Sequence, residues 1–192
     1  MIKTKQAIYL ASKSPRRRKL LEQVNLVFKV VPVDTPEVFG KKERPANAVR
    51  RIALEKLYAA KEIIKDGIII TADTIVVIKG KIIGKPLDNN DAVRMLKQLS
   101  GKTHIVYTGF SVYNSVTDKT ITDYEKTYVT FRKLNGEEIK DYVKTGSPLD
   151  KAGAYGIQDD YGAVFIKKIN GCYYNVVGLP LTKVFQTFLR II

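Results

Sequence analysis

Some residues of this chain have types and spacings that could do chemistry. The run Ser12-Lys-Ser14-Pro-Arg16-Arg17-Arg18 follows a short apolar stretch, Ala7 to Ala11, that reads as a buried strand. Ser14 and Pro15 have the character of an N-cap and a first helical residue. A helix N-terminus carries partial positive charge and unpaired N–H groups, so arginines stacked there are mildly repelled. Hydroxyls, N–H groups and arginine forks converging after a strand suit a phosphate. The competing reading is a capped helix whose arginines point into water.

Asp73, in Ala72-Asp73-Thr74, stands inside the most apolar segment of the chain, Ile68 to Ile78. An ionised carboxylate there is costly unless a metal, a cation or hydrogen bonds compensate it. Asp73 is therefore a candidate site residue, against a structural aspartate at a strand bend. Lys56 falls within the apolar stripe Val49, Ile52, Ala53, Leu57, Ala60 and Ile64 of a helix expected from Pro45 to about Lys65. Either its stem is buried while the ammonium reaches water, or the ammonium points into an anionic cleft. Lys85 ends a short strand and is held extended by Pro86.

The elements that must position these groups follow from pattern. Leu26 to Val31 reads as a strand, and a polar segment from Pro32 to Arg44 carries Asp34 and Glu37. Asp88 to Asp91 looks like a cap for a helix through Ala92, Met95, Leu96 and Leu99. Thr103 to Tyr113 and Lys119 to Arg132 read as the strands of an antiparallel hairpin. The single histidine, His104, begins the first of them and reads as structural. Asn135 to Glu138 forms a second capping box. Strands are expected at Ala163 to Ile169 and Tyr173 to Val177, and a closing helix at Leu181 to Leu189. On the first helix, Leu20, Leu21 and Val24 share the anchoring face.

Composition narrows the class. At 192 residues, with 45% hydrophobic and 27% charged content, the chain suits a globular fold, either one domain or two lobes sharing a sheet. One cysteine, Cys172, excludes an internal disulfide framework and a thiolate metal cluster, and fits a reducing cytoplasm. No apolar run reaches the roughly 20 residues needed to cross a bilayer, so neither a membrane partner nor a membrane location is expected. The net charge of +14 favours anionic partners, from nucleotides to nucleic acid.

Six motifs occur in order: Ser12-x-Ser14-Pro-Arg-Arg, Ala72-Asp73-Thr74, Gly84-Lys85-Pro86, Leu99-Ser-Gly-Lys-Thr-His104, Asp150-Lys-Ala-Gly-Ala-Tyr-Gly-Ile-Gln158 and Asn175-Val-Val-Gly-Leu-Pro180. Together they resemble the Maf family of nucleoside triphosphate pyrophosphatases, once named septum-formation inhibitors, from about Ile8 to Leu181. The resemblance implies an α/β fold of inosine-triphosphatase (Ham1-like) architecture. That fold is an elongated mixed sheet with flanking helices, its two lobes forming a single domain over residues 1–192 around a central cleft. It implies cleavage of a nucleoside triphosphate to monophosphate and pyrophosphate with a divalent cation, Mg²⁺ or Mn²⁺. The forms around Thr74 and Gln158 resemble the subgroup acting on dTTP and UTP. By the same resemblance Asp73 is the proton acceptor, and Glu37 and Asp73 lie at the metal. Ser12, Ser14, Arg16, Arg17, Lys56 and Lys85 face the phosphates, and Arg16, Thr74 and Gln158 bear on base choice. A carboxylate among a metal and cations is expected to have a depressed pKa. The chain departs from the family pattern at Ser147, where an acidic residue is common, at Asp159-Asp160, where a glycine is usual, and at Cys172, a variable turn position.

Two other classes compete. A nucleic-acid-binding module is favoured by the charge but lacks an RNP-type motif, zinc-finger spacing or an arginine-rich tail. A nucleotide-binding regulator of cell division without turnover is opposed by retention of every charged site residue. A nucleotide substrate is the partner expected, and a homodimer is compatible with the sequence.

Overall fold

The computed structural model describes residues 4–40, 42–158 and 161–192. Its strands are β1 (Ile8–Leu10), β2 (Lys29–Val30), β3 (Ile68–Ile78), β4 (Lys81–Ile83), β5 (Thr103–Asn114), β6 (Lys119–Phe131) and β7 (Ile166–Asn170). They form one sheet in the order β2-β1-β3-β5-β6-β7, with β4 also beside β3. β1 is parallel to β2 and β3, whereas the β3–β4 and β6–β7 pairs are antiparallel. Parallel neighbours need a crossover. Helices α1 (Pro15–Gln23) and α2 (Pro45–Ile63) supply it after β1 and β2. Along β3, β1 pairs with Ile68–Ile70 and β4 with Val76–Ile78, so Asp73 falls between the two registers.

The chain divides into two compact units. The first contains Met1–Asp73, Thr108–Glu125 and Gly178–Ile192. Its core includes Ala11, Val33, Leu57, Ala60, Ile69 and Tyr113. Helix α2 reaches the sheet closely because β5 carries Gly109, where a Cβ would lie 2.2 Å from the Val49 carbonyl oxygen. Helix α6 (Leu181–Ile191) buries Val184 and Phe188, and its Ile191 carbonyl accepts a 2.7 Å hydrogen bond from Asn114 Nδ2.

The second unit contains Thr74–Tyr107 and Lys126–Val177. Here α3 (Asn89–Leu99) and α4 (Gly136–Lys144) bury Met95, Leu96, Ile139 and Tyr142 with Val106, Val129, Phe131, Tyr155 and Phe165. Both helices start as the sequence predicts. The Asp88 side chain accepts from the Asp91 N–H, and Asn135 and Glu138 close a capping box.

Some expected elements differ. β2 is confined to Lys29–Val30. The strand expected from Ala163 begins only at Ile166, after a 3₁₀ turn over Tyr161–Phe165. Tyr173–Val177 is helix α5 rather than a strand. Asn175 Nδ2 donates to the Val106 carbonyl (3.1 Å) and to Thr127 Oγ1 (2.9 Å), and the Cys172 N–H donates to that same hydroxyl. This polar anchorage overrides an aromatic, β-branched run that by itself prefers extension. Leu20 and Leu21 are buried as expected, each worth about 2 kcal/mol of transfer free energy. Val24 instead caps the helix and is exposed. No helix among the described residues is long and apolar enough to cross a membrane.

Candidate active site

The first unit gathers most of the residues singled out by type and spacing. α1 begins at the predicted cap: Ser14 Oγ accepts from the Arg17 N–H at 3.4 Å, with Pro15 in the first turn. Ser12 Oγ accepts from the Ser14 N–H at 3.2 Å and from Arg17 Nη1 at 3.2 Å. Arg17 Nε donates to the Gly178 carbonyl at 2.8 Å, so its guanidinium is clamped from two sides. Burial lowers the Arg17 pKa; Asp73 and Glu37 oppose that shift and Arg16 reinforces it. A guanidinium stays protonated nonetheless. Arg18 behaves differently, forming an exposed pair with Glu22 at 2.7 Å.

The charged centre follows from a register argument. Thr71 Oγ1 donates to the Ala53 carbonyl at 2.6 Å and so locks β3 to α2. Thr71 and Asp73 share a face of the strand, whose period is two. Ala53 and Lys56 share a face of the helix, being three apart. The anchor at Thr71–Ala53 therefore delivers Asp73 to Lys56. Lys56 Nζ lies 2.6 Å from Asp73 Oδ1 and 2.8 Å from Glu37 Oε1. The Asp73 side chain is 4% exposed, that of Lys56 11% and that of Glu37 37%. Lys56 thus neither snorkels nor stands alone, but bridges two carboxylates inside the stripe that carries it.

Asp73 Oδ2 is buried with no hydrogen-bond partner among the described residues. Burial pushes the Asp73 carboxyl above its ordinary pKa; Lys56 opposes this, Glu37 adds to it, and Arg17 opposes it. The depressed pKa expected from sequence is not what these residues produce, because desolvation outweighs the two cations. The segment bearing Glu37 is itself held. Arg51 forms a fork to Glu43 at 2.8 and 2.9 Å and donates to the Val38 carbonyl at 2.8 Å. Lys13 reaches Asp34 at 2.9 Å across the surface. Arg51 carries little signal in the sequence, being one arginine beside the apolar stripe of α2.

Among the described residues no three His, Cys, Asp or Glu side chains stand together as a metal cluster. Asp73 and Glu37 still fit a hard cation. They are oxygen donors meeting at one ammonium, and one buried oxygen of Asp73 lacks a partner. Mg²⁺ is commonly held by one or two carboxylates plus substrate phosphates.

Thr74, Lys85 and Gln158 belong to the second unit. There the Gly153 N–H donates to the Gly84 carbonyl at 2.9 Å, which joins the segment ending in Gln158 to the one bearing Lys85. Lys85 is exposed, and Gln158 Oε1 is buried with no hydrogen-bond partner among the described residues. Ser147 serves in place of an acidic residue: its hydroxyl accepts from Lys151 Nζ at 3.0 Å, beside Asp150 at 2.8 Å. Asp159-Asp160 lies outside the described residues.

Comparison with known proteins bears on the family and the fold. A protein of Caldanaerobacter subterraneus subsp. tengcongensis named dTTP/UTP pyrophosphatase is 49% identical over 184 residues, covering 95% of this chain and 88% of its own. A Bacillus cytotoxicus protein of the same name is 49% identical over 174 residues, 91% of this chain and 90% of its own. Among solved structures, the Staphylococcus aureus Ham1 protein is similar in fold, with a TM-score of 0.52 at 14% identity, covering 96% of this chain and 98% of that one. The family model described as Maf-like protein matches residues 7–191, and with it the chain belongs to the Maf family.

Proposed function

We propose that this protein is a metal-dependent nucleoside triphosphate pyrophosphatase that prefers dTTP and UTP. The observation that carries the reading is the buried Lys56 bridge between Asp73 and Glu37 beside the clamped Arg17. The names of its close relatives support the same activity.

In this reading the triphosphate lies against Ser12, Ser14, Arg16 and Arg17 of the first unit. Arg17 is preorganised by Ser12 and Gly178, so little rearrangement is needed when charge develops. Asp73 orients the attacking water and accepts its proton, and pyrophosphate leaves from the α-phosphorus. Lys56 holds the Asp73 and Glu37 carboxylates at one point despite their mutual repulsion. Those two carboxylates would hold a divalent cation, Mg²⁺ or Mn²⁺, which supplies Lewis-acid stabilisation of phosphoryl oxygens when bound.

Base preference rests on Gln158. Its buried Oε1 is an acceptor with no partner among the described residues, and uracil and thymine both offer an N3–H donor. Thr74 adds a hydroxyl. A buried site built on such bonds penalises bases that leave those groups unpaired. A pyrophosphate-release assay across common and modified triphosphates tests both parts. Orthophosphate as the primary product rejects the cleavage position. Purine triphosphates with the highest kcat/KM reject the base assignment and leave the pyrophosphatase chemistry intact.

A further inference from the structure

His104 is completely buried at the start of β5. Its Nε2 lies 2.7 Å from the Tyr155 hydroxyl, and its ring meets Phe131 and Tyr155 edge-on, with centroids 5.0 and 5.3 Å apart. Its other nitrogen, Nδ1, is buried with no hydrogen-bond partner among the described residues. Neither tautomer removes that defect. If the Tyr155 hydroxyl donates to Nε2, Nδ1 carries a hydrogen with no acceptor; if Nε2 carries the hydrogen, Nδ1 is an acceptor with no donor. A phenylalanine would fill the same aromatic pocket without an orphaned ring nitrogen, but it would leave the buried Tyr155 hydroxyl without this partner. Packing alone therefore does not account for an imidazole here. What it does that an apolar ring cannot is hold the Tyr155 hydroxyl.

Tyr155 stands three residues before Gln158, and no helix or strand spans the residues between them. The segment is pinned again just upstream. The Gly153 N–H donates to the Gly84 carbonyl at 2.9 Å, and Gly153 has φ +74°, with space for a Cβ closed at 3.0 Å by Val76. Ala154 follows at φ 62°, so the backbone makes a left-handed turn directly into Tyr155. Between that turn and Gln158 the His104–Tyr155 hydrogen bond is a side-chain tether.

We propose that His104 is a positioning residue for base recognition, fixing the Tyr155–Gln158 segment through the Tyr155 hydroxyl. The proposal rests on the reading of Gln158 as the base contact. It extends that reading to a residue that touches neither the base nor the phosphates.

The test uses two variants of the full chain, His104→Phe and Tyr155→Phe, which delete the same hydrogen bond from opposite sides and keep both rings. In hydrogen–deuterium exchange on the nucleotide-free proteins, amides of residues 155–158 should exchange about tenfold faster in both variants, with α3 and α4 unchanged. In steady-state kinetics both should raise KM for UTP by about tenfold with kcat within about twofold, and narrow the preference for UTP over CTP. The double variant should be no worse than either single one. Wild-type exchange at residues 155–158 in both variants overturns the proposal. So does faster exchange there with unchanged KM and unchanged preference, because the tether would then serve the loop and not recognition. A wild-type enzyme without pyrimidine preference defeats the Gln158 reading separately and overturns the specificity role, while the exchange arm still reports whether His104 fixes the segment.

Discussion

In the first unit Asp73 is 3% exposed, and its burial is answered by charge: the Lys56 ammonium at 2.6 Å, shared with Glu37 at 2.8 Å. In the second unit His104 is 0% exposed, and its burial is answered by neutrality: one hydroxyl at 2.7 Å and a pKa lowered to about 3 by desolvation. Taking charges out of water costs several kcal/mol each, and a purely structural core does better with apolar groups. The buried Lys56–Asp73 ion pair therefore belongs where a charged ligand repays it. A buried neutral imidazole belongs where only direction matters.

The comparison can be broken most severely at Asp73. Asp73→Asn keeps the shape but removes the carboxylate, and kcat should fall by roughly 10²–10⁴, the usual contribution of a general base. Nucleotide binding by calorimetry should persist. Near-wild-type turnover would show that the charged centre is not the reactive one.

Lys56→Met comes next. It leaves Asp73 buried beside Glu37 without its cation, and stability should fall by about 3 kcal/mol in urea unfolding, the range seen when one partner of a buried pair is removed. Adding Asp73→Asn to Lys56→Met should recover most of that loss. A double variant less stable than Lys56→Met alone would contradict the ion-pair account.

The neutral region makes a smaller, pH-dependent prediction. His104 is protonated in the unfolded chain below its ordinary value near 6.5, but in the folded protein only near 3. Its folded pKa is depressed, so acid favours the unfolded state. Stability is intact above about pH 6.5 and declines as pH falls toward 3, with a slope from this residue of up to about 1.4 kcal/mol per pH unit. His104→Phe should flatten the difference between urea midpoints at pH 6.5 and pH 4.5. Parallel curves for the two proteins would show that the imidazole does not stay neutral on burial.

The smallest effect belongs to Lys13–Asp34, whose side chains are 61% and 87% exposed. Lys13→Ala should change stability by less than about 0.5 kcal/mol, and any residual effect should vanish in high salt. A larger loss would mean that the surface pair orders the Glu37 segment.

Much of this was legible in the chain because local rules and tertiary demands agreed. The Ser14 cap, the Asn135–Glu138 box and the stripe of α2 carry their own signals, and Asp73 and Lys56 declared themselves by standing where a charge should not. What pairs them was not legible. The Thr71–Ala53 bond that brings Asp73 to Lys56, and the Tyr155 hydroxyl held by His104 across 51 positions, exist only once the sheet has formed. Tyr173–Val177 misled for the opposite reason. Its local preference for extension was clear and was overruled by Asn175 and Cys172 binding Thr127. Val24 has the spacing of an anchor, but α1 ends one residue before it.

We propose that a nucleotide is cut at its α-phosphorus by a water that Asp73 directs. The most direct measurement is hydrolysis of UTP in ¹⁸O-enriched water, followed by mass spectrometry of the products. Attack at the α-phosphorus gives UMP carrying one ¹⁸O atom together with unlabelled pyrophosphate, and both products should be lost in Asp73→Asn. UDP with labelled orthophosphate, or unlabelled UMP with labelled pyrophosphate, would contradict it.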